Sequence, residues 1–177
     1  MNFQELLPSD FDEGARVWIY QANRRFSLSE ALQVEKILEE FIGGWHAHGT
    51  GVKGYANLFF GQFIVLIADE SYHPVSGCST DSSVRMIREI ERIFSVSLFD
   101  RLLLAFLLEN KVQTIPLAQL RYALENGFIN GSTPYFNNIA GTLRELRSGW
   151  LIPVKDSWLG KDARFGPLMS GTATVSD

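Results

Sequence analysis

One cysteine stands at a position of the sequence where its thiol could take part in chemistry. Cys78 is the only cysteine among the 177 residues, and we predict that it lies at the start of a helix, just after a turn-rich segment. The helix dipole and the free amides of a first turn lower the pKa of a thiol there, which makes the thiol more nucleophilic. Free cysteines are also among the most buried residues, so we rank a small structural residue behind the helix start above a nucleophile.

Two histidines and one aspartate could complete a site around such a thiol. His46 or His48 could serve as the base, with Asp69 as the group that orients it, if the loops that carry them approach Cys78. The two histidines are two residues apart, which puts both rings on one side of an extended segment, so that with Asp69 they could instead ligate a metal ion. A contact between a histidine and the carbonyl groups at the end of the preceding helix is the structural alternative. The spacing leaves these three roles open, and we assign no metal.

The loop from Asp69 to Asp81 is predicted to form one wall of any site that this chain has. The side chains that we expect to contact a ligand are Trp45, His46, Ser79 and Asp81. Strand ends and helix starts also collect polar residues for structural reasons, since Ser79 and Asp81 could cap the helix that follows Cys78. These residues do not identify a cofactor.

A hairpin and a capped helix are predicted to position this loop. The strand Phe63–Ala68 is apolar on both faces, which is typical of a buried strand, and it ends at Asp69. The preceding strand, Val52–Phe60, is joined to it by Gly61-Gln62, a pair with glycine first that suits a type II′ turn. Earlier in the chain, Ser27 and Glu30 have the spacing of a capping box and mark the start of the first helix.

The order of the predicted elements is typical of a known α+β arrangement. Strand, helix, strand, strand, helix and strand follow one another over residues 16–108, which is the split βαβ order of ferredoxin-like folds with a mixed or antiparallel sheet. The strand Val112–Ile115 adds a hairpin partner for Arg101–Leu108, and two helices follow at Leu117–Asn126 and Ile139–Arg147. We expect one α+β domain over residues 1–158, and a flexible tail or an oligomerisation arm over residues 159–177.

The composition is that of a globular protein and disfavours several classes of function. The net charge of −4 offers no general attraction to nucleic acid or to an anionic membrane. The sequence contains no phosphate-binding loop of the form G-x-x-x-x-G-K-S/T and no apolar run of membrane-spanning length, so we expect neither an ATPase nor a membrane span. The single cysteine and the acidic N-terminal segment favour a cytoplasmic protein.

Six short segments give the chain a resemblance to a known family. The segments are Val17–Arg24 (VWIYQANR), Trp45–Gly49 (WHAHG), Ser76–Asp81 (SGCSTD), Phe99–Arg101 (FDR), Phe136–Asn138 (FNN) and Asp156–Trp158 (DSW). Together they resemble a bacterial family of uncharacterised proteins whose members are often labelled as ABC transporter ATPases, and the resemblance spans residues 16–158. It implies a single soluble domain and no particular activity, because the motifs that an ATPase needs are missing from this sequence.

Two functions remain in view from the sequence. We expect a binding or assembly module, because no complete catalytic motif occurs and a pocket for a small molecule could form near the loop 69–81. An unidentified small molecule and a second copy of the chain, in a homo-oligomer, are the partners that we expect. The alternative is a small thiol- or metal-dependent hydrolase or transferase that uses Cys78 with His46 or His48.

Overall fold

The computed structural model of the chain describes residues 3–47, 50–71 and 77–169, and it gives only the backbone of residues 47, 50 and 77–79. Contacts between residues divide the chain into two compact units. Unit 1 contains the residues up to 100 together with residues 138–148, and unit 2 contains residues 101–137 and those from 149 onward. Each unit therefore combines residues that are distant in the sequence.

Helices and strands follow one another along the described residues. In chain order, the elements are β1 (Arg16–Gln21), α1 (Leu28–Gly44), β2 (His46–Ala47), β3 (Thr50–Gly51), β4 (Lys53–Phe59), β5 (Phe63–Asp69), α2 (Gly77–Phe94), β6 (Leu103–Leu108), β7 (Lys111–Pro116), α3 (Leu120–Glu125), β8 (Pro134–Phe136), α4 (Leu143–Gly149), β9 (Leu151–Pro153), α5 (Trp158–Lys161) and α6 (Gly166–Met169). The combination of helices with antiparallel sheets confirms the predicted α+β class. Within the described ranges, no helix combines the length and the apolar character that crossing a membrane requires.

The first long helix begins at the predicted capping box. The Ser27 hydroxyl accepts a hydrogen bond from the Glu30 amide at 3.3 Å, and the Glu30 carboxylate accepts one from the Ser27 amide at 2.7 Å. Arg24 pairs with the same carboxylate at 2.9 Å. The hydrogen bonds from Arg24 and from the Ser27 amide lower the pKa of Glu30 to about 2. The capping box and the ion pair together fix the start of α1.

Unit 1 is built on a three-stranded antiparallel sheet in the order β1-β5-β4. β5 lies in the centre and all its residues are buried, which explains why its sequence is apolar on both faces. The core of this unit includes Tyr20 and Leu66 from the sheet, Leu38 from α1 and Ile87 from α2. The strand order corresponds to a split βαβ unit, because β5 is inserted between β1 and β4.

The predicted ferredoxin-like topology is not confirmed. It requires the strand that follows α2 to join the first sheet, whereas β6 pairs with β7 and β8 in a second antiparallel sheet of order β7-β6-β8-β9. The apolar sequence of β6 specifies a buried strand, but it does not specify the sheet that the strand joins. The hairpin strand β7 and the helices α3 and α4 were expected, whereas α5 and α6 were not. The described strands β8 and β9 complete this second sheet.

Two hairpin turns use residues with positive φ. Between β4 and β5, Phe60 and Gly61 have φ of 54° and 64°, and the Gln62 amide donates to the carbonyl group three residues earlier at 3.0 Å. Two successive positive φ values are the pattern of a type I′ turn, so the predicted type II′ turn on Gly61-Gln62 is wrong by one residue and in type. Glu109 and Asn110, with φ of 50° and 61°, form the same kind of turn between β6 and β7.

Residues 159–169 are packed in unit 2, unlike the flexible tail or arm that the sequence suggested. The core of unit 2 includes Phe106 from β6, Leu120 from α3, Leu159 from α5 and Phe165 between the last two helices. A Cβ atom on Gly160 would lie 1.9 Å from a backbone carbonyl oxygen, which shows how closely this segment approaches its neighbours. A few large side chains are enough to hold this short segment, and the role of an oligomerisation arm stays a prediction. Residues 170–177 lie outside the described residues.

Helix α2 begins earlier than the sequence suggested. Its first residue is Gly77, so Cys78 lies in the first turn and Asp81 in the second turn, where an aspartate cannot act as the N-terminal cap. The predicted helix Leu117–Asn126 begins with a 3-10 turn, and only its second part, α3, is α-helical. These differences shift boundaries without changing the order of the elements.

Candidate functional site

Asp69, at the end of β5, is the predicted site residue whose surroundings are described most fully. Its side chain is buried, and its carboxylate accepts four hydrogen bonds. Oδ1 accepts from the amide and the hydroxyl of Ser71. Oδ2 accepts from the Asp12 amide at 3.2 Å and from Nζ of Lys53 at 3.1 Å. Asp69 thus joins the N-terminal segment, β4 and the start of the loop that follows β5.

These contacts determine the protonation of Asp69. Burial raises the pKa of the carboxyl group, but the hydrogen bonds from Ser71, Asp12 and Lys53 favour the charged form and hold the pKa of Asp69 well below its usual range. A carboxylate that stays ionised and accepts hydrogen bonds at both oxygens is a weak base. Its described partners include no histidine, so the predicted role of Asp69 in orienting a catalytic base stays a prediction.

Lys53 is a partner of Asp69 that the sequence analysis missed. The two residues lie directly opposite each other in the register of β4 and β5. The ammonium group of Lys53 also lies 3.4 Å from Oδ2 of Asp10 and 4.6 Å from the centre of the Phe11 ring. Burial lowers the pKa of Lys53 and the hydrogen bonds to Asp69 and Asp10 raise it, with a net upward shift. The predicted turn on Gly61-Gln62 would place Gly54 opposite Asp69, so the error of one residue in the turn hid this pair.

Trp45 belongs to the core of unit 1, although the sequence suggested a ligand contact. Only 2% of its surface is exposed. The centre of its ring lies 5.1 Å from that of Phe41 and 6.3 Å from that of Trp18. Gly54 leaves room for the ring, because a Cβ atom there would come within 2.7 Å of it. The buried ring therefore has a packing role, and its contact with a ligand stays a prediction.

His46 is exposed and lies just beyond the end of α1. Its Nδ1 is 2.7 Å from the carbonyl oxygen of Gly44, the last residue of the helix. This contact is the structural alternative to the predicted roles in catalysis and metal binding. His48 lies outside the described residues, so the pairing of the two rings is not described.

The remaining predicted site residues, Cys78, Ser79 and Asp81, lie in the first two turns of α2. Asp81 is exposed, the side chains of Cys78 and Ser79 are not described, and residues 72–76 of the preceding loop lie outside the described residues. The approach of Cys78 to a histidine, and with it the thiol-dependent enzyme, stays a prediction. Among the residues whose positions are described, no three His, Cys, Asp or Glu side chains are grouped as a metal ion requires.

A cavity of about 590 Å³ lies in unit 2 between β7 and α3, and we call it the β7–α3 groove. Its volume is within the range of about 300–1,000 Å³ that is usual for ligand pockets. The residues that line it are Leu108, Glu109, Lys111, Gln113, Thr114, Ile115, Gln119, Tyr122, Ala123 and Phe128. The groove thus combines apolar and aromatic surface with five polar or charged side chains.

Tyr122 and Phe128 form an exposed aromatic pair in the β7–α3 groove. Their ring centres are 6.1 Å apart and their planes are inclined by 26°, which is a stacked arrangement. Each of the two residues is 63% exposed. In contrast, other large aromatic residues, such as Trp150 and Phe106, are fully buried. The pair is therefore aromatic surface that the core of unit 2 does not use.

The sequence contained only part of the signal for this pair. Leu120, Ala123 and Leu124 are the buried residues of α3, so the helical period places Tyr122 on the opposite side of the helix. Phe128 follows Gly127, whose φ of 71° turns the chain at the end of the helix. That change of direction brings Phe128 onto Tyr122, and no periodicity in the sequence specifies it.

A smaller groove, of about 250 Å³, lies in unit 1 between α1 and β4. Two of the polar side chains that line it already have partners within the unit. The Tyr55 hydroxyl donates to the Leu6 carbonyl at 2.5 Å and accepts a hydrogen bond from the Asn57 side chain at 2.9 Å. This groove therefore offers a ligand fewer free groups than the β7–α3 groove.

Comparison with known proteins adds no relative to this description. No protein-family model, no curated protein and no solved structure matches the chain. The resemblance to a bacterial family stays a prediction, and the function has to be inferred from the geometry of the described residues.

Proposed function

We propose that the protein is a binding module and that the β7–α3 groove is its binding surface. The observation that carries this proposal is the stacked pair of Tyr122 and Phe128, which is exposed to solvent beside a cavity of about 590 Å³. A ligand that covers aromatic surface removes it from water, which is the dominant favourable contribution to most association. The binding surface of this proposal lies in unit 2, whereas the loop 69–81 belongs to unit 1.

The polar residues of the groove supply specificity in this proposal. Glu109 and Lys111 are exposed at the end of the β6–β7 hairpin, and Gln113 and Gln119 carry amide groups beside the cavity. A small number of polar groups within a mostly apolar pocket orients a ligand without a large cost of desolvation. The ligand class that fits is one with an apolar or aromatic part and a few hydrogen-bonding groups.

The contacts of Asp69 support binding over catalysis. Its carboxylate holds three segments of unit 1 together and its pKa is held low, so it serves structure better than proton transfer. A location in the cytoplasm belongs to the same proposal, because the chain has one cysteine. The proposal also includes association with a second copy of the chain. A measurement of the oligomeric state in solution tests this part.

A titration of isotope-labelled protein with indole, followed by the amide signals in NMR spectra, tests the proposal. Indole offers one aromatic face and one hydrogen-bond donor, so it should shift the signals of residues 108–115 and 119–128. Phe128→Ala should weaken binding about three- to tenfold, because an aromatic pair contributes about 0.5–1.5 kcal/mol beyond its buried area.

Leu28→Ala is the matched control, because Leu28 is also an exposed apolar residue, at 79%, and lies on α1 in unit 1. This variant should bind indole as the unchanged protein does. The proposal fails if indole shifts no signal of the groove, or if Phe128→Ala binds indole as tightly as Leu28→Ala.

A further inference from the structure

The backbone of β7 presents hydrogen-bonding groups at the open edge of the second sheet. β7 is the end strand in the order β7-β6-β8-β9. The two-residue turn at Glu109-Asn110 closes on the pair Leu108 and Lys111, and the closing pair of such a hairpin is hydrogen-bonded. Because hydrogen-bonded and non-hydrogen-bonded pairs alternate in an antiparallel ladder, the N–H and C=O groups of Val112 and Thr114 point away from β6.

Two further observations fix the same alternation. The Leu117 amide donates to the Leu102 carbonyl at 2.7 Å, which continues the ladder beyond β7 in the expected phase. Pro116, which has no N–H group, then stands at an outward position, where proline costs the ladder no hydrogen bond. The outward direction of the groups at Val112 and Thr114 therefore does not depend on the turn alone.

The outward groups of β7 lie beside the β7–α3 groove. Thr114 is one of the residues that line the groove, and Lys111, Gln113 and Ile115 line it from the same face of the strand. Val112 and Thr114 are only partly exposed, while Lys111 and Gln113 are exposed. Among the described residues, no backbone hydrogen bond outside the hairpin is formed by Val112 or Thr114. An open strand edge and an aromatic groove are thus side by side in unit 2.

We propose that the β7–α3 groove binds an extended peptide segment of a partner protein, which adds to the edge of β7 as a further strand. This inference rests on the proposed function and names the class of ligand. The main chain of the segment pairs with Val112 and Thr114, and alternate side chains, which are apolar or aromatic, cover Tyr122 and Phe128. Main-chain pairing supplies affinity in this mode of recognition, and the groove selects the alternate side chains.

The spacing of the backbone groups argues for a peptide over a small molecule. Outward groups recur at every second residue of a strand, about 6.6–6.8 Å apart. Another extended main chain has donors and acceptors at the same spacing, so it can satisfy both residues of the edge at once. A small aromatic molecule can cover Tyr122 and Phe128, but it leaves these groups to water.

The side chains of β7 argue against a second copy of β7 as the occupant. In an antiparallel pairing centred on Gln113, the second copy would bring its own Lys111, Gln113 and Ile115 to the face of the groove, because directly opposite residues share a face. Two of these three side chains are polar or charged. They suit the aromatic pair less well than a segment with apolar residues at alternate positions.

Hydrogen exchange with a designed peptide tests the inference. The probe is the hexapeptide acetyl-KFTFTK-amide, which has phenylalanine at alternate positions and lysines for solubility. On its addition the amides of Val112 and Thr114 should exchange about tenfold more slowly, because they become hydrogen-bonded. The Gln113 amide is the internal control, because it already donates within the hairpin and its exchange should change little.

Backbone variants separate strand addition from contact with the side chains alone. Two versions of the peptide, each N-methylated along one of its two edges, should differ, and only the version methylated on the edge that faces β7 should lose binding. In the protein, Val112→Pro removes one outward N–H group at a residue that does not line the groove, and it should weaken peptide binding about two- to tenfold. It should retain indole binding, which shows that the groove is still formed.

The outcomes distinguish this inference from the proposed function. If indole binds but the peptide does not slow exchange at Val112 and Thr114, the inference is wrong and the proposed binding module still stands. If neither indole nor the peptide binds, the inference and the proposed function are both wrong. A dimer in sedimentation analysis, with Val112 and Thr114 already protected before peptide is added, also overturns the inference, because a second copy then occupies the edge.

Discussion

Asp69 is buried and charged, and hydrogen bonds to both of its carboxylate oxygens stabilise the charge. Two donors come from Ser71, one from the Asp12 amide and one from Lys53. Burial of a charge without such partners costs several kcal/mol, about 3–5 when one member of a buried pair is removed. At this strand end, which the sequence offered as a candidate for chemistry, Asp69 joins three segments of unit 1, and its catalytic role stays a prediction.

Asp69→Asn should lower the free energy of unfolding by about 2–3 kcal/mol, because it removes hydrogen bonds to a charged acceptor. The asparagine amide nitrogen cannot accept a hydrogen bond, so either Asp12 and Lys53 or the two donors of Ser71 lose their acceptor. Denaturant unfolding at neutral pH measures the change. Asp81→Asn is the control, since Asp81 is exposed on α2, and it should change stability by less than about 0.5 kcal/mol. Equal effects of the two substitutions would contradict the assignment.

The pH dependence of the free energy of unfolding should reveal the low pKa of Asp69. The pKa of Asp69 in the folded protein lies below its value in the unfolded chain, which is about 3.9. Its contribution is thus complete above that value and is lost progressively as the pH falls below it, because the unfolded chain takes up the proton first. The difference in unfolding free energy between the unchanged protein and Asp69→Asn should shrink between about pH 5 and pH 2. A difference that stays constant over this interval would rule out the low pKa.

At the scale of secondary structure elements, the end of α1 packs tightly against β4 at Gly54. Trp45 and Ile42 occupy the space above this glycine, and a Cβ atom there would lie 2.7 Å from the Trp45 ring and 3.3 Å from the Ile42 side chain. The end of the helix is thus fitted to the strand through one small residue. The indole ring fills the space that a larger residue on β4 would take.

Gly54→Ala should therefore destabilise the protein by about 1–3 kcal/mol, the usual cost of overpacking a well-filled core. Thermal unfolding measures the change, and near-ultraviolet circular dichroism should report a shift in the environment of Trp45. Gly51→Ala is the control, because a Cβ atom on Gly51 would meet nothing within 4 Å. This control should be neutral or stabilising by up to about 1 kcal/mol. If both variants behave alike, the close approach of helix and strand is wrong.

Elements that depend on local signals were predictable from the sequence, and their partners were not. Ser27 and Glu30 are three residues apart, so the capping box could be recognised without knowledge of the fold. The pairing of Phe106 with Tyr135, which joins β6 to β8, depends on contacts between distant residues. In the candidate site, the end of an apolar run marked Asp69 locally. The stacking of Tyr122 on Phe128 depends on the change of chain direction at Gly127, which no periodicity in the sequence specifies.

At the scale of the whole molecule, the described residues of each unit form a hydrophobic core that draws on distant parts of the sequence. The core of unit 2 includes residues from β6 and α3 and from the last two helices. Leu159, Phe165 and Met169 are its most C-terminal members, and all three are buried. Unit 2 therefore depends on residues 159–169, which the sequence pattern alone would have left outside the domain.

A chain that ends at residue 158 should lose much of the stability of unit 2, because each of the three buried side chains contributes about 1.5–3 kcal/mol. Amide signals of residues 103–136 should lose dispersion in NMR spectra of the shortened protein. A chain that ends at Met169 is the control and should retain the dispersion of these signals. Equal spectra of the two shortened proteins would show that residues 159–169 are dispensable.

The ends of β7 also bear on aggregation. A long, open, apolar edge strand offers a template on which further chains can stack into a fibril. In β7 the open run is short, because the charged Lys111 precedes it and Pro116 closes it without an N–H group to donate. A segment that joins this edge finds only a few backbone groups to pair with. The edge of β7 can thus accept one extended segment, but it offers few backbone groups for the repeated stacking of identical copies.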